Sequence, residues 1–346
     1  MNGSHSRFLH VGNVKSVWEL LDHDQKDQLD DLVQEKHQHS VCIINYKGGV
    51  GKTTITTLLG IYLAQNTKGN VLLMDIDPQC SLSLALGEDP ENVNRTELTI
   101  YNLVEPKAWT KLEKKRLISY TKLLNRYDLP ENLHLLPGSF QTDELDLKII
   151  SAFNEKEYTE KTLFLYAKKL LMGFAKDYDY ILIDCPPNKM FLTQAMLRAS
   201  SFYLPVTIPD QISIYGMPRL LNWVKKIPQN IRPKMLGYIL NAVNRSGGGM
   251  VLSQQRASAK LKHDVLKHDV QPLMSTEERK VITDPCLGVI PRLDVIAKFL
   301  GGSIRDINEL RQSASRQPSV EECLSEIVEK TIHRMRAYNE KNKKQS

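Results

Sequence analysis

Long apolar runs are missing from this chain: nothing in its 346 residues approaches the roughly 18–20 consecutive apolar residues that cross a bilayer, which excludes a helical membrane-spanning protein. No leader is expected either. The opening MNGSHSRFLHVGNVKSVW is neither a basic, apolar secretory signal nor an Arg-rich transit peptide, so the protein is expected to stay where it is made. Cysteine is sparse: Cys42, Cys80, Cys185, Cys286 and Cys323 are odd in number and show neither CxxC nor metal-like spacing, which favours reduced, packed thiols over a disulfide framework. No repeat of 20–50 residues and no low-complexity tract occurs, which excludes solenoid and compositionally disordered architectures. Charge of one sign does not dominate either, since 46 Lys and Arg against 40 Asp and Glu leave +6.

The chain is long enough for roughly two domains, or for one large α/β domain with additions, and 41% hydrophobic with 25% charged residues is ordinary globular composition. Residues 19–35 are acidic and loosely periodic, predicting a modest helix within an N-terminal extension, 1–40. From Val41 the pattern changes to VCIIN, a glycine loop and the helical ITTLLGIYLAQ. NVLLMDID, YDYILIDCPP, FYLPVTIP, MLGYILNAVN and LGVIP follow as strands, with helical stretches between most of them. This alternation predicts an α/β fold: a doubly wound, mostly parallel sheet with helices on both faces. Between 88 and 158 the alternation loosens into a basic, helical insertion holding one short strand, NLHLLP, and Gly247–Gly249 mark a mobile loop.

The loop after the first strand is K-G-G-V-G-K-T-T, residues 47–54. Tyr46 stands where the first glycine of the general P-loop belongs, so that pattern fails by one position. The physics survives. Glycines at 48, 49 and 51 let backbone N–H groups, including those of Val50 and Thr54, converge on phosphate oxygens at a helix N-terminus. Lys52 can bridge the β- and γ-phosphates, and the Thr53 hydroxyl is placed to ligate Mg²⁺. A bound nucleotide, ATP with Mg²⁺, is the expected cofactor.

The extra lysine carries a resemblance. KGGVGKTT is similar to the deviant Walker A motif of the ParA/MinD family of ATPases, closest to ParA-type partition ATPases, over roughly residues 40–335. The resemblance implies that Lys47 reaches across a dimer interface to the partner's nucleotide, making Lys47, Lys52 and Asp77 the catalytic set. Asp75-Ile76-Asp77-Pro78-Gln79 resembles the family's D-x-D-P-Q motif, which assigns to Asp77 the water in line with the γ-phosphate; either Asp also suits a plain turn cap. Asp184, ending YILID, resembles the Walker B carboxylate and would hold Mg²⁺ through water. LGYILNAVNR and GVIPRLD resemble the segments beside the base, which puts Asn241, Asn244 and Pro291 near the nucleotide, although Asn at a strand end is also an ordinary turn former. The chain departs from the family at Cys80-Ser81-Leu82-Ser83, where many members carry Gly-Asn-Ala-Thr, and its first 40 residues are too short for an operator-reading domain.

Charge is segregated. Residues 19–36 sum to −5, whereas 107–126 carry +6, 219–234 carry +5 (Arg219, Lys225, Lys226, Arg232, Lys234) and 330–346 carry +5. Such patches are the footprint of a polyanion, and the ordinary alternative is a set of solvated helix faces. With the resemblance, they imply a homodimer that binds non-specific double-stranded DNA in its ATP state, with no membrane contact, until a ParB-like activator stimulates weak hydrolysis. The implied role is plasmid or chromosome partition or cargo positioning, in a cytoplasmic, nucleoid-associated protein. A MinD-like membrane-surface ATPase or a non-DNA scaffold is the alternative, and a metabolic enzyme of the same superfamily a third. Against the second, the apolar stripe from Val320 to Met335 reads as a core helix, closing a main domain of 41–335, followed by a polar basic tail, 336–346.

Overall fold

In the computed structural model the described residues are 39–95, 97–105, 117, 121–124, 129–154, 159–246, 249–266, 276–292, 296 and 319–343. The expected acidic helix, most of the 107–126 basic cluster, Gly247 and Gly248 lie outside them.

The sheet is built from β1 (His39–Ile44), β2 (Val71–Asp75), β3 (Lys122–Leu123), β4 (Leu133–Leu136), β5 (Tyr180–Asp184), β6 (Phe202–Thr207), β7 (Lys234–Met235), β8 (Tyr238–Val243) and, after a separate antiparallel hairpin of β9 (Arg245–Ser246) and β10 (Gly249–Met250), β11 (Cys286–Pro291). Its order is β11-β8-β6-β1-β5-β2-β4-β3, with β7 also paired to β6. Every pair is parallel except β3–β4. Every strand expected from the apolar runs is present.

The helices are α1 (Lys52–Asn66), α2 (Ser81–Ala85), α3 (Pro90–Arg95), α4 (Ile100–Val104), α5 (Leu145–Asn154), α6 (Glu160–Phe174), α7 (Phe191–Ala199), α8 (Gln211–Lys225), α9 (Leu252–Leu266), α10 (Thr276–Val281) and α11 (Val320–Lys343). Strand side chains alternate between two apolar layers, as a period of two requires. Val41 and Ile43 of β1 join α1 and α11 on one face, and Cys42 and Ile44 join α6, α7 and α8 on the other. This makes the sheet doubly wound, and its central strands are buried runs because both faces are covered.

Three boundaries differ from expectation. β1 starts at His39, so residues 39 and 40 belong to the sheet rather than to an extension. MLGYILNAVN is two strands, β7 and β8, because Gly237 takes φ +111° between them, a conformation that L side chains rarely adopt. The C-terminal helix does not stop at 335. It runs to Lys343, and Tyr338 in the expected polar tail is buried against Phe202 and donates its hydroxyl to the Met235 carbonyl at 3.0 Å. The stripe from Val320 to Met335 does pack in the core.

Candidate functional site

Parallel strands deliver their following loops to one edge of the sheet, and four of them meet there. The loop after β1 turns sharply because Gly49 and Gly51 have φ of +71° and +89°. Gly51 caps α1 without any side-chain cap, so the first N–H groups of a buried 15-residue helix stay available to an anion. Gly51 also lets another chain segment approach: the Asn241 amide at the end of β8 donates to the Val50 carbonyl at 3.0 Å, and a Cβ on Gly51 would lie 1.9 Å from that nitrogen. Asn241 therefore braces the loop. Pro291, the last residue of β11, is paired with Val243 at the same edge, and Asn244 is exposed. Gly48 and Gly49 are exposed and Thr54 half-buried.

Lys52 is buried, and its amino group lies 3.4 Å from the Lys47 carbonyl. Burial lowers its pKa, opposed by the charges of Asp184 and Asp77, which places both carboxylates within electrostatic reach of the lysine. The Thr53 hydroxyl donates to Asp184 at 2.6 Å, and Thr56, one turn along α1, donates to the other oxygen at 3.2 Å. Asp184 itself ends β5 in register with Asp75 at the end of β2. Burial, reinforced by the charge of Asp75, pushes the Asp184 carboxyl up to about 8, while Thr53 and Lys52 pull it down. Burial likewise raises Asp75 to about 6, against the hydrogen bonds it accepts from the Ser83 hydroxyl (2.7 Å) and backbone N–H (2.8 Å).

Such a buried carboxylate, beside a hydroxyl and a lysine, fits a hard divalent cation that takes oxygen ligands and keeps open positions for phosphate and water. Among the described residues no three His, Cys, Asp or Glu side chains gather into a metal-binding group. Thr53 and Asp184 are thus the pair that could hold Mg²⁺. The donor chemistry fits the group.

Asp77 follows at the same edge, where its carboxylate accepts from the Gln79 N–H at 2.9 Å, the capping geometry of a tight turn. Asp75 is turned to Ser83, whose hydroxyl also accepts from the Gly138 N–H at 2.9 Å, tying the β2 loop to the β4 loop. Lys47 points to the β6 side: its amino group donates to Asp210 at 2.5 Å and to Ser213 at 3.3 Å. Burial acts to raise the Asp210 pKa, but the hydrogen bonds from Lys47 and Ser213 together with the Lys47 charge outweigh it and hold the carboxyl below its ordinary value. Asp210 and Ser213 were not legible as partners of Lys47, 163 residues away. The local signal was an Asp three residues before a Ser at a helix start, an N-cap, and Asp210 does accept from the Ser213 N–H at 2.7 Å.

The basic residues divide. Arg219 and Lys226 of the α8 region are exposed and Lys225 half-buried. The Arg232 guanidinium instead donates to the carbonyls of Ile227 (2.8 Å) and Lys225 (2.5 Å), closing the turn after α8, and Lys234 lies in β7. In the C-terminal cluster Arg334 is buried, donating to the carbonyls of Leu236 at 2.5 Å and Asp284 at 2.6 Å.

A family model described as an AAA domain matches residues 38–236. The chain is 31% identical over 199 residues to the sporulation initiation inhibitor protein Soj of Bacillus subtilis, a match covering 57% of this chain and 68% of that protein. It is 29% identical over 229 residues to the chromosome-partitioning ATPase Soj of Treponema pallidum, covering 66% and 76% respectively. Among solved structures, the pNOB8 ParA protein bound to nonspecific DNA superposes with a TM-score of 0.58 at 20% identity, covering 87% of this chain and 99% of that one.

Proposed function

The chain belongs to the AAA domain family as a ParA/MinD-type P-loop ATPase, and from that membership we propose that it is a ParA-type switch: an ATP-bound dimer that holds DNA without reading its sequence. In this reading two protomers close on two ATP·Mg²⁺, a ParB-like activator stimulates slow hydrolysis, and hydrolysis releases the DNA. The cargo is a plasmid, a chromosome or another large body, in a cytoplasmic, nucleoid-associated protein. Partition is what the Treponema relative's name states, and DNA binding what the pNOB8 structure records of its own protein.

One observation carries the dimer. Seven large apolar side chains are exposed among the described residues: Leu84, Phe140, Leu147, Ile150, Ile212, Tyr215 and Leu252. Six lie in segments that follow the parallel strands β2, β4 and β6, whose carboxyl ends lead to the edge that holds the phosphate loop, and Leu252 follows the antiparallel β9–β10 hairpin. Apolar surface gathered around a nucleotide site is suited to being covered when that site closes against a second copy. Lys47 stands at this edge, and leaving Asp210 would free it for the partner's nucleotide.

Bound ATP and Mg²⁺ supply an activated phosphoryl group whose transfer to water needs positioning and charge neutralisation more than covalent chemistry. Within the chain, Lys52 and the loop N–H groups hold phosphate oxygens, Thr53 and Asp184 hold the cation, and Asp77 orients the water. Asp77→Ala is accordingly expected to keep ATP-dependent dimerisation and DNA retention in gel shifts with unrelated duplexes, while phosphate release falls at least about tenfold. Parental turnover in that variant would remove Asp77 from the role, and no ATP-dependent shift of the parent at low salt would remove DNA from the reading. Against the membrane alternative, the apolar stripe of α11 is buried against the sheet and does not form an exposed apolar face. No described helix is long and apolar enough to cross a membrane.

A further inference from the structure

A cation sits on an aromatic seat beside the phosphate loop. The Lys189 amino group lies 4.7 Å from the centroid of the Tyr46 ring and 5.4 Å from that of Trp223, both inside the roughly 6 Å over which a ring face attracts a cation. The two rings meet edge to face at 5.6 Å. Tyr46 immediately precedes Lys47, and its hydroxyl is buried with no hydrogen-bond partner among the described residues, so the ring is held by packing alone. The backbone under Lys189 is pinned as well: its carbonyl accepts from the Gln194 side chain of α7 at 2.9 Å.

Lys189 has neighbours of its own sign. Arg219, Trp223 and Lys226 are spaced by four and three residues along the α8 region and so share one face, and Arg219 and Lys226 are exposed, as is Lys189. Burial lowers the Lys189 pKa, and the charge of Lys226 lowers it further, so the two cations are close enough to repel. None of Lys189, Arg219 and Lys226 forms an ion pair among the described residues. Like charges brought together without an ion pair among the described residues, one of them fixed on two rings, form a surface that a polyanion would stabilise.

We propose that Lys189, seated on Tyr46 and Trp223, joins Arg219 and Lys226 as the surface that grips the phosphate backbone of a DNA duplex. The proposal rests on the DNA reading above and sharpens it: Lys189 enters from the loop after β5, outside every basic cluster of the sequence, while Arg232 and Lys234 leave the contact set.

The test is a titration of a fluorescent duplex of unrelated sequence with the full chain, ATP and Mg²⁺ at several salt concentrations. Lys189→Met removes the charge and keeps an unbranched stem. It is expected to weaken binding at low salt about tenfold and to make the slope of log affinity against log salt shallower by about one contact per protomer. Lys189→Arg should restore both values, and Lys169→Met, an exposed lysine of α6, should change neither. Affinity for a fluorescent ATP analogue should be unchanged in all three variants. Parental affinity and slope in Lys189→Met would overturn the assignment while leaving the DNA reading intact, as would equal weakening by Lys169→Met or loss of ATP affinity in Lys189→Met. A parent that shows no ATP-dependent binding to any duplex would overturn both.

Discussion

At the scale of single residues the site is a balance of buried charge. Asp75 and Asp184 sit in register on neighbouring strands, raised to about 6 and about 8 from an ordinary 3.8. Raised carboxyl pKa values mean that the folded state holds protons the unfolded chain has released, so stability falls as pH rises through that window, from about pH 4 to about pH 8. Thermal unfolding without nucleotide and Mg²⁺ should therefore show a falling Tm between about pH 4 and about pH 8, and added Mg²⁺ with ATP should flatten the fall. A flat profile in the free protein would mean that neither carboxyl is held protonated. Lys47 poses a second balance. Asp210→Asn keeps an oxygen for the Ser213 N–H but removes the charge that holds Lys47. With the two side chains 28% and 39% exposed, the ion pair is worth roughly 0.2–1 kcal/mol. Releasing it should lower the ATP concentration for half-maximal dimerisation by a factor of about 1.5–5, read by light scattering, whereas Lys47→Ala should block closure.

At the scale of elements, legibility followed length and burial. The strands from β1 to β11 that carry apolar runs were readable because both sheet faces are covered, which leaves three or more consecutive apolar residues in most of them. β3, β7, β9 and β10 are two residues long and have no period to detect. The motif residues of the P-loop and of the two strand-end carboxylates were legible because spacing along one chain suffices to define them. The Lys47–Asp210 pair and the brace of Asn241 on Val50 were not, because each joins segments more than 160 residues apart. Arg334 shows how charge misleads when burial is unknown: it counts toward a basic patch in sequence, yet in α11 it satisfies two carbonyls at the β7–β8 break and before β11. Arg334→Lys cannot reproduce the planar fork and should cost about 2–4 kcal/mol in denaturant unfolding, nearly as much as Arg334→Ala. An effect of Arg334→Lys on DNA affinity at unchanged stability would place the guanidinium at the surface instead.

At the scale of the whole molecule, the polarity of the parallel sheet decides where function can be. It sends the phosphate loop, Asp77, Asp184 and Asp210 to one edge, and six of the seven exposed apolar side chains lie in the segments that follow β2, β4 and β6 from that edge. If that surface existed only for the monomer it would be a liability, since apolar patches of this kind promote indiscriminate association. The proposed nucleotide-gated dimer would resolve the conflict, because it would cover the patch only when two sites close. Tyr215 is the discriminating position: it is 65% exposed on α8, five residues beyond Asp210, with Lys260 of α9 over its ring. Tyr215→Glu adds a charge that solvent tolerates and a closed interface does not. Its Tm and its affinity for ATP as a monomer should match the parent, since no core contact is lost, while ATP-dependent dimerisation weakens at least about tenfold, because closure would have to desolvate the new carboxylate together with Lys260. DNA retention should fall with it, because two linked surfaces hold a duplex far better than one. A Tyr215→Glu protein that still dimerises with ATP at the parental concentration would place the contact between protomers elsewhere and leave the apolar edge to a different partner.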